Sequence, residues 1–189
     1  YVGVRHCVAV ACGLDALALA LQATGIGPGD EVIVPGLTFI ATWLAVSQCG
    51  AQPIPVDAEY ETCSIDPTGI EASVTPSTRA VVPVHLYGLP AQMDQIGRIA
   101  DRHGLMVVED AAQSHGARCR GGAAGSLGAA GAFSFYPAKN LGAFGDAGAV
   151  TTDDGEIANR VRQLANYGAT TRYHHDLIGR NSRMDELQA

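Results

Sequence analysis

Short, continuous runs of apolar and β-branched residues alternate with helical-period segments along the chain, and this alternation most restricts what it can fold into. HCVAV (6–10) is followed, after Ala11-Cys12-Gly13, by LDALALALQAT (14–24), where Leu14, Leu17, Ala18 and Leu21 recur at helical spacing. EVIVP (31–35) reads as a second strand, and the segment after it places Ile40, Trp43, Leu44 and Ser47 on one helix face. QPIPVD (52–57) is strand-like, but its prolines cannot donate to a ladder, so it belongs at an edge or a strand start. RAVVPVHLYG (79–88) is a fourth strand; a helix over 92–103 carries Met93, Ile96, Ile99 and Ala100; LMVVE (105–109) is a fifth strand. AFSF (132–135), AVTT (149–152) and a helix at 156–166 with Ile157, Val161 and Leu164 complete the pattern. Apolar strands alternating with helices predict an α/β fold: a three-layer α/β/α sandwich whose mostly parallel sheet is covered on both faces.

Sheets of this kind bind ligands beyond the carboxyl ends of their strands. Gly13 follows 6–10, Phe39 follows 31–34, His85 follows 79–84, Asp110 follows 105–109, and Ser134 and Lys139 lie in or just after 132–135. Lys139 stands in FSFYPAKNLGAFGDAG (133–148) among aromatic residues and glycines, without the charge pattern of a solvated helix. Desolvation or cationic neighbours lower a lysine's pKa, and the resulting neutral amine forms a Schiff base with an aldehyde cofactor. Glu109-Asp110 closes the apolar start of LMVVEDAAQSHGA (105–117). Alone, Asp110 would read as the N-cap of a helix over DAAQSHG. With Lys139 it reads as the carboxylate that faces the ring nitrogen of pyridoxal phosphate. Gln113 is then placed to bond the ring hydroxyl, and His115, His85 and Tyr136 are candidates for the substrate side. His115 reads equally well as a structural group. Cys12-Gly13-Leu14-Asp15, between a strand and a helix, offers backbone N–H groups to a phosphate, and Ser134 offers a hydroxyl. Phe39 either stacks on the ring or belongs to the core. GIGPG (25–29) follows a helix rather than opening one, so it is a helix stop and turn, not a nucleotide loop.

The 189 residues carry a formal net charge of −7 with no basic run, which argues against nucleic acid or an anionic membrane surface as partner. No apolar stretch reaches the roughly 18 uninterrupted residues of a membrane helix. Five cysteines without a C-x-x-C spacing read as small buried residues of a reducing, cytoplasmic compartment, with no disulfide framework and no metal site. No linker interrupts residues 1–189, so one domain is expected. The start at Tyr1 and the end inside the helix-like SRMDELQA (182–189) suggest a piece of a longer protein.

Several strings together resemble the DegT/DnrJ/EryC1/StrS family of pyridoxal-phosphate-dependent sugar aminotransferases: GIGPGDEVIVPGLTFIATWLAV (25–46), VPVHLYGLPAQMD (82–94), VVEDAAQSHGA (107–117), GSLGAAGAFSFYPAKNLGAFGDAGAVTT (125–152) and NSRMDEL (181–187). The resemblance implies the large domain of an aspartate-aminotransferase-like fold, with an N-terminal segment and a small C-terminal domain lying outside this chain. It implies Lys139 as the cofactor-bearing lysine, Asp110 and Gln113 on the ring, and Ser134 with the Gly13-Leu14 backbone on the phosphate. It further implies Phe39 stacked on the ring, and a homodimer in which Asn181 and Arg183 serve the partner's cofactor. The reaction implied moves an amino group from L-glutamate or L-glutamine to a nucleotide-linked keto-sugar. Family members commonly have Ser-Gly-Thr where this chain has Cys12-Gly13-Leu14, which removes a hydroxyl contact. That variant resembles the subgroup acting on dTDP-3-keto-6-deoxyhexoses. The alternatives are a 4-keto-sugar or cyclitol aminotransferase, or a non-catalytic homologue that binds cofactor or nucleotide-sugar. Lys139 disfavours the branch that carries histidine there and deoxygenates.

Overall fold

A computed structural model describes all residues, 1–189. In chain order its elements are β1 (His6–Val10), α1 (Gly13–Ala23), β2 (Glu31–Pro35), α2 (Ala41–Gln48), β3 (Gln52–Val56), α3 (Pro67–Ser73), β4 (Thr78–Val81) and α4 (Met93–His103). Then come β5 (Met106–Asp110), β6 (Arg118–Cys119), β7 (Gly122–Ala123), β8 (Ala130–Ser134), β9 (Gly148–Thr152), α5 (Gly155–Ala165), β10 (Ala169–Thr171) and β11 (His174–His175). Seven strands form the central sheet in the order β1-β9-β8-β5-β4-β2-β3. Pairing is parallel from β8 through β5, β4 and β2 to β3; β9 alone runs the other way, between β8 and β1.

Alternate strand residues feed two cores, as the period of two requires. Val32, Val34, Ala80, Val82, Val108 and Ala132 face α1, α2 and α5. Ile33, Val56 and Val81 face α3 and α4 through Ile70, Met93, Ile96 and Ile99. The three-layer sandwich is therefore as expected. Helix α1 is enclosed on every side, with Leu19 and Ala20 as deeply buried as Leu17 and Leu21. Each fully buried leucine contributes roughly 1.5–3 kcal/mol, so α1 is the central pillar of its layer.

Local departures from the sequence reading have physical causes. The strand expected over 79–88 stops at Val81, because Pro83 has no N–H; only a bridge from Val84 to Asp110 continues it, before a 3₁₀ turn at Leu86–Gly88. Helix α3 was not anticipated, although Asp66 caps it and Pro67 occupies its first position. On α2 the buried residues are Thr42, Ala45 and Val46, while Ile40 and Leu44 are exposed, because small side chains allow α2 to pack closely on α1. β3 is indeed an edge strand. No helix follows Asp110: residues 111–117 form turns, so the N-cap reading fails. Residues 182–189 are likewise not helical; Ser182 N–H is tied to the Ala165 carbonyl instead. Only Cys49 of the five cysteines is buried, and Cys7 is exposed.

Candidate active site

At the end of β5, strand alternation sends two adjacent acids to opposite faces. Asp110 points toward α2, where the Thr42 hydroxyl donates to Oδ2 at 2.8 Å; Ala112 N–H donates to Oδ1 at 3.1 Å. Burial pushes the Asp110 carboxyl above the usual carboxylate value, opposed by these two hydrogen bonds and by the Lys139 charge. Glu109 points the other way and is fully enclosed. Its Oε1 accepts from Leu127 N–H at 2.6 Å and Gly128 N–H at 2.8 Å; its Oε2 accepts from Gly125 N–H and His85 Nε2, both at 2.8 Å. Ala91 N–H donates to His85 Nδ1 at 3.1 Å, so the ring proton sits on Nε2 and points at Glu109.

The first turn of α1 meets the end of β8 in close backbone contact. A side chain at Gly13 would run into Ser134, with its Cβ 2.9 Å from the Ser134 hydroxyl. One at Gly148 would lie 2.5 Å from the Cys12 carbonyl and 2.9 Å from Gly13 N. Cys12 caps the helix weakly, its Sγ accepting from Asp15 N–H at 3.4 Å. The N–H groups of Gly13 and Leu14 precede the first intrahelical bond and are free to bind an anion beside the Ser134 hydroxyl.

Lys139, the only lysine of the chain, is partly buried in the loop between β8 and β9. The loop is closed at its base by Phe135 N–H to the Ala147 carbonyl (2.8 Å) and tightened by Lys139 N–H to the Tyr136 carbonyl (2.8 Å). Its ammonium enters none of the six ion pairs. Phe39 is 67% exposed, which excludes the core reading and leaves its ring available beside Thr38. Gln113 Oε1 accepts from Tyr87 N–H at 2.8 Å, so its amide N–H₂ remains as a donor. The His115 ring lies between Phe133 and Phe135, 5.5 and 5.6 Å between centroids, with both nitrogens buried and unpartnered. Burial pushes this imidazole below its usual pKa. The Ser134 backbone and Asn140 side chain favour its charged form, though neither meets hydrogen-bond geometry.

Of the residues singled out from sequence, Gly13, Leu14, Asp110, Gln113, Ser134 and Lys139 thus gather at the carboxyl ends of β5 and β8. Tyr136 is half exposed next to Ser134, whose hydroxyl accepts from its N–H at 3.3 Å. His85 does not fit a substrate role: it is wholly buried and both ring nitrogens are engaged. Asn181 and Arg183 contact Asn166 and Tyr167 rather than Lys139 or Asp110; the Arg183 guanidinium bonds Asn166 Oδ1 at 2.9 Å and covers the Tyr167 ring at 5.5 Å. Sequence reasoning missed Thr42, although threonines four residues apart straight after a strand were a readable signal.

The α/β sheet that carries this lone lysine, this buried acid at a strand end and this close glycine–serine contact has an aspartate-aminotransferase-like fold. The chain belongs to the DegT/DnrJ/EryC1/StrS aminotransferase family, whose model matches residues 1–189. It is 57% identical over 189 residues to the dTDP-3-amino-3,4,6-trideoxy-alpha-D-glucose transaminase of Streptomyces venezuelae, covering 100% of this chain and 50% of that protein. It is 58% identical over 184 residues to the erythromycin biosynthesis sensory transduction protein EryC1 of Saccharopolyspora erythraea, covering 97% and 50%. The crystal structure of S. venezuelae DesV in complex with a ketimine intermediate superposes with a TM-score of 0.96 at 57% identity, over 100% of this chain and 51% of that one. NtdA of Bacillus subtilis with bound cofactor PMP gives 0.93 at 41% identity, over 100% and 43%. The chain thus spans about half the length of the relatives it matches.

Proposed function

We propose that this chain is the cofactor-binding large domain of a pyridoxal-phosphate-dependent aminotransferase. In this reading the enzyme moves an amino group from L-glutamate or L-glutamine to a nucleotide-linked keto-sugar, most simply a dTDP-3-keto-6-deoxyhexose. The observation that carries the reading is the convergence of Lys139, buried Asp110 and the Gly13–Ser134 cradle at one end of the sheet. Those residues fit the cofactor: glycine at position 13 lets the first-turn N–H groups of α1 come up beside the Ser134 hydroxyl, and Asp110 is held by two donors with lone pairs to spare. When bound, pyridoxal phosphate supplies an aldehyde that carries the amino group and a ring that takes up electrons. The first-turn N–H groups of α1 and the Ser134 hydroxyl bind its phosphate. Asp110 holds a proton on the ring nitrogen, Gln113 donates to the ring oxygen, and Phe39 covers one ring face and excludes water. Lys139 Nζ anchors the cofactor and, once displaced, moves the proton at the donor's Cα.

A homodimer in which Asn181 and Arg183 turn to the partner's cofactor, and a cytoplasmic location, belong to the same proposal. No helix is long and apolar enough to cross a membrane. A second reading, a regulatory homologue that binds the cofactor without turnover, is favoured by the names of EryC1 and of a pleiotropic regulatory protein of Geobacillus stearothermophilus, 48% identical over 189 residues.

The test is absorbance with pyridoxal phosphate, followed by borohydride reduction and peptide mass analysis. The expected result is a visible band that L-glutamate removes and, in its absence, one reduced adduct, on Lys139. A band indifferent to every amino donor would establish the regulatory reading. Turnover of the keto-sugar at full rate by Lys139→Ala would overturn the assignment.

A further inference from the structure

Two threonines outside the residues assigned so far stand behind Asp110. Thr42 is fully buried in the first turn of α2, and its hydroxyl reaches both Asp110 Oδ2 at 2.8 Å and the Thr38 hydroxyl at 2.9 Å. A hydroxyl has one hydrogen to give. Against an ionised Asp110, Thr42 must donate to the carboxylate, which obliges Thr38 to donate to Thr42. Both hydrogens then point toward the acid, and a proton on Oδ2 would oppose the one that Thr42 directs there. Ala112 N–H fixes the other oxygen at 3.1 Å, so the plane of the carboxylate is set from both sides.

Helix α2 pays for this arrangement at its own start. Ile40 occupies the cap position with no side-chain cap hydrogen bond, although a threonine capable of capping stands two residues earlier. Thr42 N–H bonds the Phe39 carbonyl at 3.1 Å, which places Phe39 and the hydroxyl that grips Asp110 in one turn.

We propose that Thr38 and Thr42 are positioning residues: a directed pair of hydroxyls that holds Asp110 ionised and oriented for the ring nitrogen, and couples it to the turn carrying Phe39. This rests on the reading that Asp110 faces that nitrogen. The groups facing Asp110 are Thr42 from α2, Lys139 from the loop after β8 and His85 from the segment after β4, and the test alters the first alone.

The experiment measures the pyridoxal phosphate dissociation constant of the whole protein by absorbance titration across acid to neutral pH. It compares Thr42→Val, Thr42→Ser, Thr38→Val and Asp110→Asn. Loss of one hydrogen bond to a charged acceptor predicts about tenfold weaker binding in Thr42→Val, with the loss of affinity on acidification beginning at higher pH than in the wild type. Thr42→Ser should stay within about twofold, and Thr38→Val should weaken binding about threefold in the same sense. Equal impairment of Thr42→Val and Thr42→Ser would show packing alone and overturn the proposal. Wild-type affinity and acid limb in Thr42→Val, with Asp110→Asn weakened, would overturn it and leave the reading of Asp110 intact. Undiminished binding by Asp110→Asn would bring both down. Should Thr42→Val not fold, the partly buried Thr38 decides, and an unchanged Thr38→Val overturns the proposal.

Discussion

Replacing Glu109 by glutamine changes one atom in a side chain that never meets solvent. All four of its neighbours donate: Leu127 and Gly128 N–H to Oε1, and Gly125 N–H and His85 Nε2 to Oε2. Whichever way the amide is turned, its N–H₂ confronts two donors. His85 cannot reverse its tautomer to relieve one of them, because Ala91 N–H already occupies Nδ1. Each charge-assisted hydrogen bond is worth about 1.5–3 kcal/mol, so Glu109→Gln should remove roughly 3–6 kcal/mol. That is a large share of the ~5–15 kcal/mol that holds a domain together. The assay is urea unfolding of the cofactor-free protein followed by far-ultraviolet circular dichroism, compared through the midpoint and slope. The turn 125–128 leads into β8, so cofactor affinity should fall with stability. A loss of less than about 1 kcal/mol would refute the four-donor assignment of Glu109.

Gly13→Ala should weaken pyridoxal phosphate binding at least tenfold and lower stability by about 1–3 kcal/mol, since the added carbon meets Ser134 Cβ and Cα and parts α1 from β8 where the phosphate is to sit; isothermal titration with the cofactor and thermal melts measure the two. Asp110 gives a pH dependence whose sign follows from its raised pKa: the folded state binds more protons than the unfolded above the ordinary value of 3.8. Stability of the cofactor-free protein should therefore fall as pH rises from 3.8 to the raised value, and Asp110→Asn should abolish that slope in thermal melts across the same range.

Much of the fold could be read because its strands are continuous apolar runs and its breaks carry proline, glycine or aspartate. The direction of β9 could not: AVTT has the same local pattern whichever way it runs, and its reversal follows from the short return after the Lys139 loop. The buried face of α2 was hidden because Thr42, Ala45 and Val46 are less apolar than the exposed Ile40 and Leu44. That Lys139 lies in a loop just past the carboxyl end of a strand was legible from its neighbours in sequence. The surroundings of Glu109 were not, since its donors come from glycine-rich backbone at 125–128 that carries no side-chain signal. His85 misled for the same reason: its place at a strand end suggested solvent, but Glu109 draws it inside.

Strand β1 at residues 6–10 has one partner in the sheet, β9 at 148–152, and α1 packs on α2, β8, β9 and α5. A ribosome therefore makes the most apolar helix of the molecule, with α2 soon after to cover one side of it, long before it makes the surfaces that cover the rest. Contacts so far apart in sequence form late, after the intervening loop closure has been met. The parallel strands β2 to β5 can assemble during synthesis, whereas α1 must wait with the side that meets β8, β9 and α5 uncovered, and is the segment most exposed to aggregation or chaperone capture. The contact of Gly148 with Cys12 and Gly13 closes only when β9 docks. A nascent chain halted before β9 thus has Gly13, Ser134 and its lysine, but not the Gly148 backbone against which the start of α1 is seated.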